Sequence, residues 1–268
     1  MLYTEDFMNK PHSFKLGYNT NSWGRTPNLD EMFNDIAQCG WKGVELISLS
    51  LDWLGTPNHL AKKLKNNGLV LSSMFGRVDD IGSASNTMLE REKRRIEYGA
   101  EFEAEVYAFT GPQRPLNRKP SQDEFKRFAE QIEILSEHAL GFGQVLAFHA
   151  HPASLAETEQ EQDILFSYSS QLQICLDVSI SALMGEDPIA QLKKYSNRLA
   201  YIHLKDVDHG KFCVMGRGRG LIDFAQVKES LIDIGYDGWV VGELGSGADT
   251  GAVESCNENF KYLSSLGY

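Results

Sequence analysis

Short apolar runs alternate along the chain with longer amphipathic segments. The runs are "KLGYN" from Lys15, "GVELIS" from Gly43, "LVLSSMF" from Leu69, "AEVYAF" from Ala104, "QVLAFH" from Gln144, "LQICLD" from Leu172, "LAYIHLK" from Leu199 and "WVVGEL" from Trp239. That alternation predicts eight strand–helix units around a parallel sheet.

The segments between the runs carry helix start and stop signals. Thr26-Pro27, Thr56-Pro57 and Asp187-Pro188 each set a capping side chain before a proline suited to the first helical turn. Ser121 to Glu124 reads as a capping box opening a helix to about Leu140, and Asp223 is placed to cap another. Gly40, Gly68, Gly141 and Gly235 stand where helices need a left-handed C-terminal residue.

Eight such units without a composition break predict one (β/α)8 TIM barrel, an α/β domain spanning residues 1–268. An open doubly wound sheet is the competing architecture. It would want a glycine-rich dinucleotide loop after the first strand, where "GYNTNSWG" offers only Gly17 and Gly24.

Composition narrows the partners. A net charge of -11 argues against a nucleic-acid partner, because phosphate binding depends on clustered Lys and Arg. The one basic cluster, "REKRRIE" from Arg91, is interleaved with acids and reads as a solvated helix face. Cys39, Cys175, Cys213 and Cys256 show no close pairing, which suggests a reducing compartment. The start "MLYTEDFMNK" lacks a signal-peptide layout, and no apolar run approaches the roughly 18 residues of a membrane span. The expectation is a cytoplasmic protein with no membrane partner.

In this type of barrel the working face lies at the C-terminal ends of the strands. Those ends carry Asn19 and Trp23, Glu45, Phe75 with Arg77, Tyr107, His149 with His151, Asp177, His203 with Lys205, and Glu243. His149, Asp177, His203 and Glu243 each fall at or near the end of one of the last four strands, so closure would bring them toward one point. Two imidazoles and two carboxylates suit Mn²⁺, Co²⁺, Zn²⁺ or Fe²⁺ better than Ca²⁺.

Each residue alone also has an ordinary structural reading: a hydrogen-bonded core histidine, a rim acid, or Asp177 capping the turn "DVSIS". What favours a site is "YIHLKD". Alternation there puts Tyr201, His203 and Lys205 on one face, and such groups are costly to bury without partners.

"GVEL", "LAFHAHP", "LDVS", "YIHLKDVD", "MGRGRGLIDF" and "GYDGWVVGEL" in this order resemble the successive signatures of the xylose-isomerase-like TIM-barrel superfamily. The resemblance runs from about Lys15 to Leu266. It implies one divalent ion held by residues ending strands five to eight, here His149, Asp177, His203 and Glu243. Many epimerases of the group have Glu where this chain has His149, giving one carboxylate on each face of the substrate. The His-x-His-Pro arrangement is more similar to the inosose dehydratase branch. Where much of the superfamily has a second His in the sixth-strand motif, this chain has Ile180, which cannot bond a sugar hydroxyl.

The expected activity is that of a metal-dependent sugar isomerase or epimerase. It enolises a small keto-sugar or keto-polyol by taking a proton next to its carbonyl. An inosose-type dehydratase acting on a cyclic keto-polyol is the alternative, and a non-catalytic sugar-binding barrel is a third reading. Barrel endonucleases acting at apurinic sites would need a basic DNA-binding face and more ligands.

Lys205, Glu45 and Glu243 are the expected catalytic groups, Lys205 because a neighbouring cation would lower its pKa. Trp23, His151, Tyr107 and Arg217 are the expected substrate contacts, with Arg217 and Arg219 of "GRGRG" closing over a phosphate or carboxylate. Fold-level analogy adds a homo-oligomer.

Overall fold

The computed structural model describes residues 14–47, 49–82, 85–217, 220–244 and 250–268. Eight parallel strands close into a barrel. They are β1 (Lys15–Asn19), β2 (Gly43–Ile47), β3 (Val70–Arg77), β4 (Val106–Thr110), β5 (Val145–Phe148), β6 (Gln173–Asp177), β7 (Leu199–Leu204) and, last in the chain, β10 (Trp239–Gly242). Between β7 and β10 the short strands β8 (Asp206–Asp208) and β9 (Lys211–Cys213) pair as an antiparallel hairpin. β1 pairs with β2 on one side and β10 on the other, which removes every edge and rules out the open sheet.

Around the barrel run α1 (Leu29–Cys39), α2 (Leu51–Leu54), α3 (Pro57–Asn66), α4 (Ser85–Ala100), α5 (Gln122–Leu140), α6 (Glu159–Tyr168), α7 (Val178–Leu183), α8 (Pro188–Lys194), α9 (Phe224–Asp233) and α10 (Ala252–Ser265). Strand side chains alternate between two cores. Phe75, Val106, Ala108, Ala147, Cys175, Tyr201 and Val241 fill the barrel interior. The opposite parity, including Val44, Leu46, Tyr107, Phe109 and Phe148, packs against the helices.

Most of the helix signals act as read. Thr56 and Asp187 cap with Pro next in line, Asp223 caps α9, and Ser121 with Glu124 forms both halves of the capping box. The exception at the start is Thr26-Pro27: Asn28 is the cap of α1, accepting from the amides of Asp30 and Glu31. At the end of α5, Gly141 stays right-handed at φ -61, and Gly143 makes the left-handed turn at φ +74 two residues later. "REKRRIE" is not a wholly solvated face either. Glu92 is buried, accepting from the Arg77 amide and the Tyr107 hydroxyl, and Arg95 is half-buried.

All four cysteines are unpaired. No described helix is long and apolar enough to cross a membrane.

Candidate metal and catalytic centre

Strand ends carry the polar residues into the barrel mouth. The His149 amide donates to the Phe109 carbonyl at 2.8 Å and the Glu243 amide to the Leu204 carbonyl at 2.9 Å, so each continues the ladder one residue past its strand. Asp177 ends β6 and caps α7. Its Oδ1 accepts from the Ser179 amide and hydroxyl and the Ile180 amide, so the capping reading holds, and Oδ2 is left facing the cluster. Glu45 follows a register irregularity between Val44 and Glu45, a device that re-aims a side chain at a strand end.

His149, Asp177, His203 and Glu243 each offer a ligand atom, and these atoms all lie within 4.8 Å of one another. All four residues are buried. His149 Nε2 is 3.2 Å from Asp177 Oδ2. His203 lies between two carboxylates, its Nε2 2.9 Å from Glu45 Oε2 and its Nδ1 3.3 Å from Glu243 Oε2. Lys205 Nζ spans Asp177 Oδ2 at 2.8 Å and Glu243 Oε2 at 3.1 Å. Asn19 donates to Glu45 Oε2.

The charges do not close on themselves. Three buried carboxylates face Lys205 and a histidine, His203, that they hold protonated, and the remaining negative charge is expensive to bury without further positive charge. Buried atoms also lack a hydrogen-bond partner, among them Glu45 Oε1 and His149 Nδ1. Orphaned donors and acceptors around surplus negative charge fit a divalent cation, and the mixed N/O donor set suits a first-row transition ion.

Protonation follows the same balance. Burial lowers the His149 pKa, keeping its ring neutral and able to ligate. Burial alone would lower His203 too, but Cys175 and the flanking Glu45 and Glu243 carboxylates hold it well above its ordinary value. Although burial alone would raise both acids, Lys205 holds Asp177 well below the carboxylate range and brings Glu243 to about 2. Burial likewise opposes charge on Lys205, yet Asp177 and Glu243 raise its pKa. Between these two carboxylates Lys205 is held as the protonated ammonium. The β8–β9 hairpin covers it, with Phe212 under Nζ at 4.5 Å from the ring centre.

The expected substrate contacts divide. His151 is exposed beside the cluster, its ring 6.4 Å from that of His149 and its Nδ1 3.0 Å from the Pro152 carbonyl. Trp23 stands edge-on to Tyr18 at 5.9 Å, partly buried against the outer core. Tyr107 is a correction: parity turns it out of the barrel, where its hydroxyl meets Glu92. Arg217 is turned away onto α10, in exposed ion pairs with Glu254 and Glu258. Arg219 lies outside the described residues.

Two further strand-end residues contribute to the cluster. Asn19 orients Glu45, and the Phe75 ring lies edge-on to His149 at 5.4 Å and stacked on His203 at 6.1 Å. Their positions were the available signal, but not which group each would touch.

A family model described as "Xylose isomerase-like TIM barrel" matches residues 33–264. The rhizopine catabolism protein MocC of Rhizobium meliloti is 28% identical, the alignment covering 86% of this chain and 81% of that protein. An inosose dehydratase of Lacticaseibacillus casei is 31% identical over 46% of this chain and 48% of its own. Among solved structures, L-ribulose 3-epimerase superposes with a TM-score of 0.80 at 17% identity, covering 95% of this chain and 94% of that one.

Proposed function

The chain belongs to the xylose isomerase-like TIM-barrel family, and from that premise we propose that it is a divalent-metal-dependent enzyme that enolises a keto-sugar or keto-polyol. The observation that carries this reading is the buried set His149, Asp177, His203 and Glu243, whose ligand atoms converge within 4.8 Å beside surplus negative charge. These four residues would hold the ion, of the Mn²⁺, Co²⁺, Zn²⁺ or Fe²⁺ type. A divalent ion there supplies Lewis-acid polarisation of carbonyl and hydroxyl oxygens, worth several kcal/mol as the oxyanion develops.

The protein's own groups handle the proton. Glu45 Oε1 is buried and unpartnered, so it takes the proton from the carbon next to the substrate carbonyl, and the electron pair left behind forms the enediolate. Asn19 fixes the other carboxylate oxygen. Lys205 Nζ carries a proton to return to an oxygen of the substrate. The barrel wall at Phe75 limits water on one side of the histidines.

Two outcomes share this first step. Returning the proton to the neighbouring carbon isomerises the sugar; expelling the hydroxyl one carbon further, with a proton from Lys205, removes water. Similarity to inosose dehydratases favours the second, as does a histidine in place of a carboxylate at His149. A barrel that only bound sugar would not need Glu45 and Lys205 against the ligand set.

Incubating the Mn²⁺-loaded protein in D₂O with candidate ketoses and inososes is expected to place solvent deuterium at the carbon next to the carbonyl. Product mass then separates isomerase from dehydratase, since only the latter loses water. No exchange in any ligand that binds would sink the enolisation reading.

A further inference from the structure

Beside the ligand cluster, the ends of β2, β3 and β4 enclose an open pocket of about 330 Å³, with Ile47, Phe75 and Thr110 among its walls. Phe75 separates it from His149 and His203, so the two spaces are one ring thickness apart. Four arginines, Arg25, Arg77, Arg91 and Arg95, line this pocket against two acids, Asp79 and Glu92. The chain as a whole has 37 acidic residues and only 26 Lys and Arg, so this local excess runs against its general charge.

The four arginines are not equivalent. Arg91 is occupied, 2.9 Å from Asp79 and bonded to Glu92. Arg95 is pinned by donating to the carbonyls of Leu49 and Phe75, both at 2.9 Å, while its shielded Nε has no acceptor. Arg25 and Arg77 have no carboxylate partner among the described residues, and both side chains are exposed at the pocket. Buried Glu92 acquires a purpose from this arrangement. It holds the Arg77 amide at 3.0 Å and the Tyr107 hydroxyl, and so fixes the strand end from which Arg77 projects.

We propose that this arginine pocket binds an anionic group of the substrate, a phosphate ester or a carboxylate, at the end remote from the carbon that enolises. Guanidinium groups match such oxygens with paired donors, and a concave positive wall concentrates an anion that the rest of this acidic surface repels. The pocket thus selects substrates by their far end, while the cluster acts on the near one. The inference rests on the enolisation reading only for which end is which.

Calorimetry with the metal-free protein tests it, using inorganic phosphate, D-fructose 6-phosphate, D-gluconate and neutral D-fructose as probes. At least one anion is expected to bind tenfold or more tightly than fructose, and the double variant Arg25→Gln/Arg77→Gln to erase that difference. Preference for fructose 6-phosphate identifies a phosphate pocket, and preference for gluconate a carboxylate one. Anion binding that is absent, or indifferent to both arginines, overturns the proposal. Circular dichroism and Mn²⁺ content of the variant check that the barrel and its cluster persist. Deuterium exchange reports separately on enolisation, so an exchange failure with anion selectivity intact leaves the pocket standing.

Discussion

At the scale of single residues, the proposed site would make metal uptake a proton exchange. His203 holds its proton above the usual histidine range between Glu45 and Glu243, so an incoming cation must displace it. Mn²⁺ binding near neutral pH is therefore expected to release protons and to tighten as pH rises toward the elevated His203 value, by up to about tenfold per pH unit for one proton. Calorimetry in buffers of different ionisation heat reads the proton count, and a count of zero would contradict the pairing. His149→Ala removes one ligand, and elemental analysis of the purified variant should find the metal lost; unchanged content would take His149 out of the set. The convergence of His149, Asp177, His203 and Glu243 was legible because each falls at or near the end of a strand and ligand chemistry is confined to a few residue types. Tyr107 was misread because it is the second residue of β4, which runs on to Thr110, and because one step of parity separates the barrel interior from the helix layer. The Lys205 shift could not be read at all, because its sign depends on two acids 28 and 38 residues away in sequence.

At the scale of elements, local signals do most of the work and their contributions are modest. Ser121→Ala removes the acceptor for the Glu124 amide and should cost about 1 kcal/mol in urea unfolding, without altering metal content. Gly43 opens β2 where a Cβ would overlap the Trp239 ring at the start of β10. Gly43→Ala should destabilise by about 1–3 kcal/mol in the same assay, since the indole must move to admit a methyl group. All eight barrel strands were visible as apolar runs. The β8–β9 hairpin was not, because two strands of three residues carry no periodic pattern and their place over Lys205 is set by tertiary contact. Asn28 outranked Thr26 as the cap of α1 because its side chain reaches both first-turn amides, a choice that spacing to a proline does not reveal.

For the whole molecule, a ligand that binds only the folded state adds to its stability. Mn²⁺ at a hundred times its dissociation constant should contribute about 2.7 kcal/mol, seen as a rise of several degrees in melting temperature that a chelator reverses. The rise should vanish in His149→Ala; a persisting rise would place the ion elsewhere. Closure of the barrel was inferred from the strand count, and the pairing of β1 with β10 establishes it. That seam also orders events during synthesis. β1 leaves the ribosome first but keeps one side unpaired until residues 239–242 have been made. Glu243 follows directly, so His149, Asp177, His203 and Glu243 come together only when the barrel is ready to shut, and a half-made chain would offer a metal ion no finished place to settle.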